Sequence, residues 1–184
     1  MSDNSVNQAL FSLKQPLDVV VMAAGKGTRM KSRIPKVLQR LAGKPLLGHV
    51  LNTAAELNAR SAVVITGHGA DEVEAAVSSV SGKLAVKFVR QEPQLGTGHA
   101  VQQAVPVLAD DGLVVVLSGD VPLTHADTLK ALMASVREAG SKVDCLALLT
   151  LDMPNPSGYG RIVRTVKGDS VLAIVSKKMP AQSN

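Results

Sequence analysis

The chain has 184 residues, enough for one domain with its own core and too few for two comfortable ones. Hydrophobic residues make up 46% of it, a globular composition. Aromatics are only 2%, with no Trp, which excludes a nucleic-acid surface built on base stacking. The formal net charge of +5 favours anionic partners without specifying them. Cys145 is the single cysteine, so neither a disulfide nor a zinc framework is possible, and its apolar neighbours predict a small core residue. No apolar run approaches membrane-span length. The polar start lacks the basic-then-apolar order of a secretory signal, so a soluble cytoplasmic protein is expected.

In chain order, residues 1–16 are expected to form a flexible leader. "LDVVVMA" is the first strand, and Leu46, Leu47, Val50, Leu51, Ala54 and Ala55 recur at helical spacing up to about Asn58. "SAVVITG" is a second strand. "ADEVEAAVSSV" is a second helix, with Asp71 and Glu72 early, where the helix dipole favours negative charge. "LAVKFVR" is a third strand, and Thr97 is the expected cap of a helix whose inner face is Val101, Ala104, Val105 and Leu108. "GLVVVLSGD" is a fourth strand, the next helix opens on Thr124 and closes on Gly140, and "KVDCLALLTL" is a fifth strand. Strands separated by single helices predict an α/β fold, a mostly parallel sheet with helices on both faces. Beyond Leu151, "YGRIVRTVKGDSVLAIV" predicts a hairpin turning near Gly168 and Asp169.

In a parallel sheet, ligands bind beyond the carboxyl ends of the strands. That rule brings "AAGKGTR" and "SGD" to one edge. Lys26, Arg29, Lys31, Arg33, Lys36, Arg40 and Lys44 crowd one short segment, which points to phosphate. The loop is not a Walker loop, for no Gly-Lys-Ser/Thr closes the spacing, nor a dinucleotide fingerprint, for Met30 stands at the third Gly. Its two glycines still let backbone N–H groups approach an anion, Arg29 adds a planar fork of donors, and Pro35 aims Lys36 at the same anion. Asp120, at a strand's carboxyl end beside such a site, has the placing of a Mg²⁺ ligand. The four His residues have no evident Ser or Cys partner, so no nucleophile–base pair is expected.

"MAAGKGTRM", "IPKVL", "LAGKPLLGHVL", "GHG", "QEPQLGTGHAV", "SGDVPL" and "GYGRI", in this order over roughly Leu17 to Val175, resemble the uridylyltransferase domain of bacterial bifunctional N-acetylglucosamine-1-phosphate uridylyltransferase/glucosamine-1-phosphate acetyltransferases. The resemblance implies a Rossmann-like nucleotidyltransferase domain over 17–175, in part. It implies UTP and N-acetylglucosamine 1-phosphate as substrates, Mg²⁺ as cofactor and UDP-N-acetylglucosamine as product, with no nucleic-acid or membrane partner. By the same resemblance Met22, Ala23, Ala24 and Gly25 line the uridine and phosphate side, and Arg29 and Lys36 meet the triphosphate. Gln91 meets the uracil edge, and Gly96 and Thr97 close over base and ribose. Ser118, Gly119 and Asp120 pass beneath the nucleotide, Asp120 holds the metal, and Gly160 contacts the amino sugar.

The pattern breaks at residues 176–184. The family continues with Glu, a basic or amide residue and then Lys-Asp-Ala, whereas this chain has Ser176, Lys177, Lys178, Met179, Pro180 and Ala181. Deleting one nucleotide from codons for Glu-Gln-Lys-Asp-Ala-Ser yields these six residues, so an out-of-frame tail is expected. The family's later sugar and metal ligands and its trimerising β-helix have no counterpart here, which leaves the oligomeric state open. Weak UTP binding, little turnover and poor solubility follow as expectations. A related nucleotidyltransferase using another base or sugar, and a non-catalytic nucleotide-sugar-binding module, are the competing readings.

Overall fold

The computed structural model describes residues 15–27, 30, 32–79, 81–138, 145–167 and 170–175. It divides between Cys145 and Leu146 into two compact units. In the first, β1 (Leu17–Met22), β4 (Ser61–Thr66), β5 (Val86–Arg90) and β6 (Leu113–Ser118) form a parallel sheet in the order β5-β4-β1-β6. A two-residue pair, β2 (Arg40–Leu41) and β3 (Lys44–Pro45), lies between β1 and α1 (Leu46–Glu56). The other helices are α2 (Ala70–Val77), α3 (Thr97–Ala104) and α4 (Ala126–Glu138).

The continuous apolar runs belong to the central strands because these are covered on both sides. Val19 and Val21 of β1 pack with Leu47 and Leu51 of α1, Val73 of α2 and Leu129 of α4. On the opposite face, Val20 joins Val63 and Ile65 of β4 and Ala100 and Ala104 of α3. Each such Val or Leu taken fully from water contributes about 1.5–3 kcal/mol. Asn58 stops α1 by taking the left-handed conformation (φ 55°), and Ala59 N–H donates to Ala54 O at 3.2 Å. At the amino edge of the sheet, Asp18 is buried and accepts hydrogen bonds from Arg60 and, at 2.7 Å, from Ser61 Oγ.

Four expectations need correction. Both faces of β6 were expected to be covered, yet Val114 and Val116 are each 43% exposed. Val116 is in register with Val20, on the side covered by α3, and the α3 cluster does not extend to β6. Cys145 is exposed, and residues 145–151 form no strand. Residues 142–144 of the expected fifth strand lie outside the described residues. The helix expected from Thr97 has Gly96 as its cap, and Thr97 is its first turn. Its buried residues are Ala100 and Ala104, and Val105 is exposed, because Pro106 ends the α-helix and turns Val105–Val107 into a 3-10 turn. The helix expected from Thr124 begins at Ala126, and its predicted stop, Gly140, lies outside the described residues.

The second unit holds the predicted hairpin. β7 (Arg161–Arg164) pairs antiparallel with β8 (Val171–Val175), with a register irregularity at Val163/Arg164. The turn at Gly168 and Asp169, the leader up to residue 14 and the tail 176–184 lie outside the described residues.

Candidate functional site

Parallel strands all end at the same edge, so Met22, Thr66, Arg90 and Ser118 close β1, β4, β5 and β6 together. The chain leaving each of these strands is tied to its neighbour by the backbone. Ala23 N–H donates to Ile65 O at 2.9 Å, Gly119 N–H to Met22 O at 2.9 Å, and Gln91 N–H to Thr66 O at 2.8 Å. Beyond these bonds opens a cleft of about 820 Å³. It is lined by Met22, Ala23, Ala24, Gly25, Lys36, Gln91, Gly96, Thr97, Ser118 and Asp120 of the predicted set. Gly119 is buried directly behind it, where an added Cβ would meet Met22 O at 3.1 Å and Val37 Cγ1 at 3.3 Å. Arg29 lies outside the described residues. Gly160 belongs to the second unit, where an added Cβ would meet Ile174 Cγ2 at 3.2 Å.

The glycine loop shapes the wall of this cleft. Gly27 takes a left-handed φ of +57°, and a Cβ there would stand 2.9 Å from Lys36 Cβ, so the loop backbone rests on the lysine stem. Pro35 precedes the 3-10 turn Lys36–Leu38, whose Val37 is buried and anchors the turn. Lys36 Nζ thereby reaches Asp120 Oδ2 across 84 positions of sequence to form an ion pair. Both side chains are about a third exposed and face the cleft. The rest of the basic cluster divides. Arg40 donates to Gly43 O at 2.7 Å within the β2–β3 turn, Arg33 is exposed outside the cleft lining, and Lys31 lies outside the described residues.

The opposite wall comes from the segment joining β5 to α3. Gln91 is buried. Its Nε2 donates to Gly96 O at 2.8 Å and lies 3.2 Å from His99 Nδ1. Arg90 fastens the strand end before it by bonds to Glu74 at 3.0 Å and Asp71 at 2.5 Å. The Arg90 hydrogen bond holds the Glu74 carboxyl below the usual carboxylate range; burial opposes it and the Thr66 hydroxyl adds to it.

Sequence reasoning missed Gln94, Val37 and Ala100 as lining residues. Gln94 Nε2 donates to Ala24 O at 2.7 Å, locking the glycine loop to the β5–α3 loop. Gly67 leaves the space that Gln94 occupies, for a Cβ at Gly67 would sit 2.6 Å from Gln94 Nε2, a closeness that only the fold reveals. No three His, Cys, Asp or Glu side chains converge on one point among the described residues, so Asp120 stands as a lone carboxylate in a cleft. Such an arrangement suits a divalent ion shared with substrate phosphates and does not suit an all-protein metal cage.

Residues 19–150 match the family described as the MobA-like NTP transferase domain. The protein "Bifunctional protein GlmU" of Acidovorax ebreus (strain TPSY) is 67% identical over 165 residues, which is 88% of this chain and 33% of that protein. The chain spans about a third of the length of the curated relatives it matches. Among solved structures, a UDP-glucose pyrophosphorylase complexed with UDP-glucose superposes with a TM-score of 0.67 at 19% identity, covering 89% of this chain and 69% of that one. Rv0371c of Mycobacterium tuberculosis H37Rv, in complex with manganese, gives 0.53 at 21% identity, over 67% and 61%. These two likenesses show the fold. No helix among the described residues is long and apolar enough to cross a membrane.

Proposed function

The chain belongs to the family of MobA-like NTP transferase domains, and from that premise we propose that its cleft takes UTP and N-acetylglucosamine 1-phosphate and forms UDP-N-acetylglucosamine and pyrophosphate. The observation that carries this reading is the Lys36–Asp120 pair. A cation and a carboxylate meet in a cleft at the carboxyl edge of a parallel sheet, against a glycine loop. The 67% identity to a GlmU protein supports the choice of substrates. A cytoplasmic place of action fits both of them.

Met22, Ala23, Ala24 and Gly25 line the nucleoside and phosphate side, with Gln91 on the base and Gly96 and Thr97 over base and ribose. Lys36 meets the triphosphate; by the family resemblance Arg29 is assigned to the same phosphates and Gly160 to the amino sugar. Asp120 would hold Mg²⁺ as its one carboxylate, with phosphate oxygens and waters as the remaining ligands; when bound, the ion neutralises phosphate charge. The manganese complex of Rv0371c supports a divalent ion at this fold.

A phosphate oxygen of the sugar 1-phosphate forms the new P–O bond at the α-phosphorus of UTP. The bond between that phosphorus and the α–β bridging oxygen breaks in line, and its electron pair leaves on pyrophosphate. The attacking phosphate is anionic near neutral pH, so no strong general base is required. The chain's residues instead hold two polyanions at a fixed approach and offset their repulsion, as Lys36 does at the departing end.

The test is calorimetric titration with UTP, CTP and GTP in Mg²⁺, followed by an assay of pyrophosphate release. The reading expects UTP to bind in preference, with pyrophosphate released only after N-acetylglucosamine 1-phosphate is added. Equal binding of all three nucleotides, or of none, contradicts it. Tight binding of UDP-N-acetylglucosamine with no pyrophosphate release would favour a non-catalytic binding module.

A further inference from the structure

We propose that His99 is a positioning residue that fixes the amide of Gln91 so that only its carbonyl oxygen faces the nucleotide. The cleft thereby favours a base that presents an N–H to Gln91 over one that presents a lone pair there. The inference rests on the reading of Gln91 as the residue that meets the base.

An amide end offers two N–H donors on one side and an acceptor oxygen on the other, and the two ends exchange by a half-turn of the side chain. At Gln91 the surroundings decide between them. Gly96 O can only accept, and it lies 2.8 Å from Gln91 Nε2, so the nitrogen belongs on that side. The second N–H of the same nitrogen meets His99 Nδ1 at 3.2 Å. That contact requires Nδ1 to be the unprotonated ring nitrogen, with the proton on Nε2. His99 Nε2 in turn lies 3.1 Å from the amide end of Gln103. Turning the Gln103 amide lets its oxygen accept that proton, at the expense of a 3.2 Å bond to His99 O.

Both Gln91 N–H groups are then engaged. Gln91 is only 5% exposed and lines the cleft, and no buried side-chain oxygen or nitrogen among the described residues lacks a partner. Its carbonyl oxygen is therefore open to the cleft and not sealed behind it. An acceptor at this point suits the imide N–H of uracil. Cytosine places an acceptor at the equivalent ring nitrogen, so two lone pairs would face each other, and turning the amide would set its oxygen against Gly96 O and force the His99 proton onto Nδ1. His99 follows Gly98 in the first turn of α3, so the base-reading side chain is set by the helix that closes the cleft wall.

The test compares UTP and CTP affinities, measured by calorimetry on the full chain, for the unaltered protein, His99→Leu and His99→Asn. Leucine removes the acceptor, and asparagine restores one close to the Nδ1 position. His99→Leu is expected to lower the preference for UTP over CTP about tenfold, the worth of one hydrogen bond left unmade, and His99→Asn to keep most of it. If His99→Leu does not fold, His99→Ala reads the same ratio. An unchanged ratio in the leucine or alanine variant, with folding intact, overturns the inference while leaving the uridylyl reading standing. An unaltered protein that binds both nucleotides equally, or neither, overturns the reading of Gln91 and this inference together.

Discussion

The two units differ in what holds them. In the first, three consecutive valines of β1 and all six residues of β4 are sealed from solvent, and helices supply the opposing apolar faces. In the second, every residue of β8 is exposed, and β7 is little better. An isolated hairpin is marginal in water, whereas a sheet packed against helices is independently stable. The lesson concerns function as much as stability. The described residues proposed for the nucleotide belong to the first unit, and Gly160, proposed for the sugar, directly precedes β7 of the second.

This contrast is open to attack from several sides. The largest effect is expected at the core. Leu51→Ala should cost about 2–5 kcal/mol in a denaturant melt, the usual cost of a cavity at a fully buried leucine. A loss near zero would mean that the sheet is not the stable part. Gly112→Ala comes next, because a Cβ there would stand 2.3 Å from Pro16 O, a backbone atom that cannot swing away. A loss of about 1–3 kcal/mol is expected, and a neutral result would show that the β6 entry readily shifts.

A smaller, pH-dependent effect belongs to Asp18. The hydrogen bonds from Arg60, aided by Ser61, hold its carboxyl below the ordinary value of 3.8, although burial opposes them. Its contribution is therefore fully present above that ordinary value and is lost as the pH falls through the lower folded value. Thermal melts over an acid series should show this slope, and Asp18→Asn should flatten it. The smallest effect is expected on the hairpin. Leu172, 66% exposed, should be replaceable by alanine within about 0.5 kcal/mol. A larger loss would show that this face is covered in solution, and the contrast between the units would shrink.

The parts legible in the sequence are those where local pattern and final surroundings agree. "VVV" and "AVVI" are apolar throughout and lie in strands covered on both faces. Gly27 had to be glycine for its φ, and the order of glycine loop and "SGD" placed two segments at one edge. Other features depend on contacts that periodicity does not carry. "LVVVLS" looks the same as a buried strand, but α3 does not reach over Val114 and Val116. "CLALLT" has strand composition, yet among the described residues it pairs with nothing regular. The burial of Gln91 could not be read locally because its partners, Gly96 and His99, come from the loop and helix that follow. Lys36 was singled out from the basic cluster through Pro35, but its partner was not. The ion pair with Asp120, 84 residues away, depends on the fold and is carried by no local pattern.

The central claim is that Lys36 and Asp120 mark where a nucleoside triphosphate is held. It is tested most directly by calorimetric titration of UTP, with Mg²⁺, into the unaltered chain and into Lys36→Ala. The account predicts binding to the unaltered chain, weakened about 10- to 100-fold in the variant, the worth of a hydrogen bond to a charged group. Equal affinity in the two proteins would contradict it, and the phosphate site would have to be sought elsewhere on the molecule.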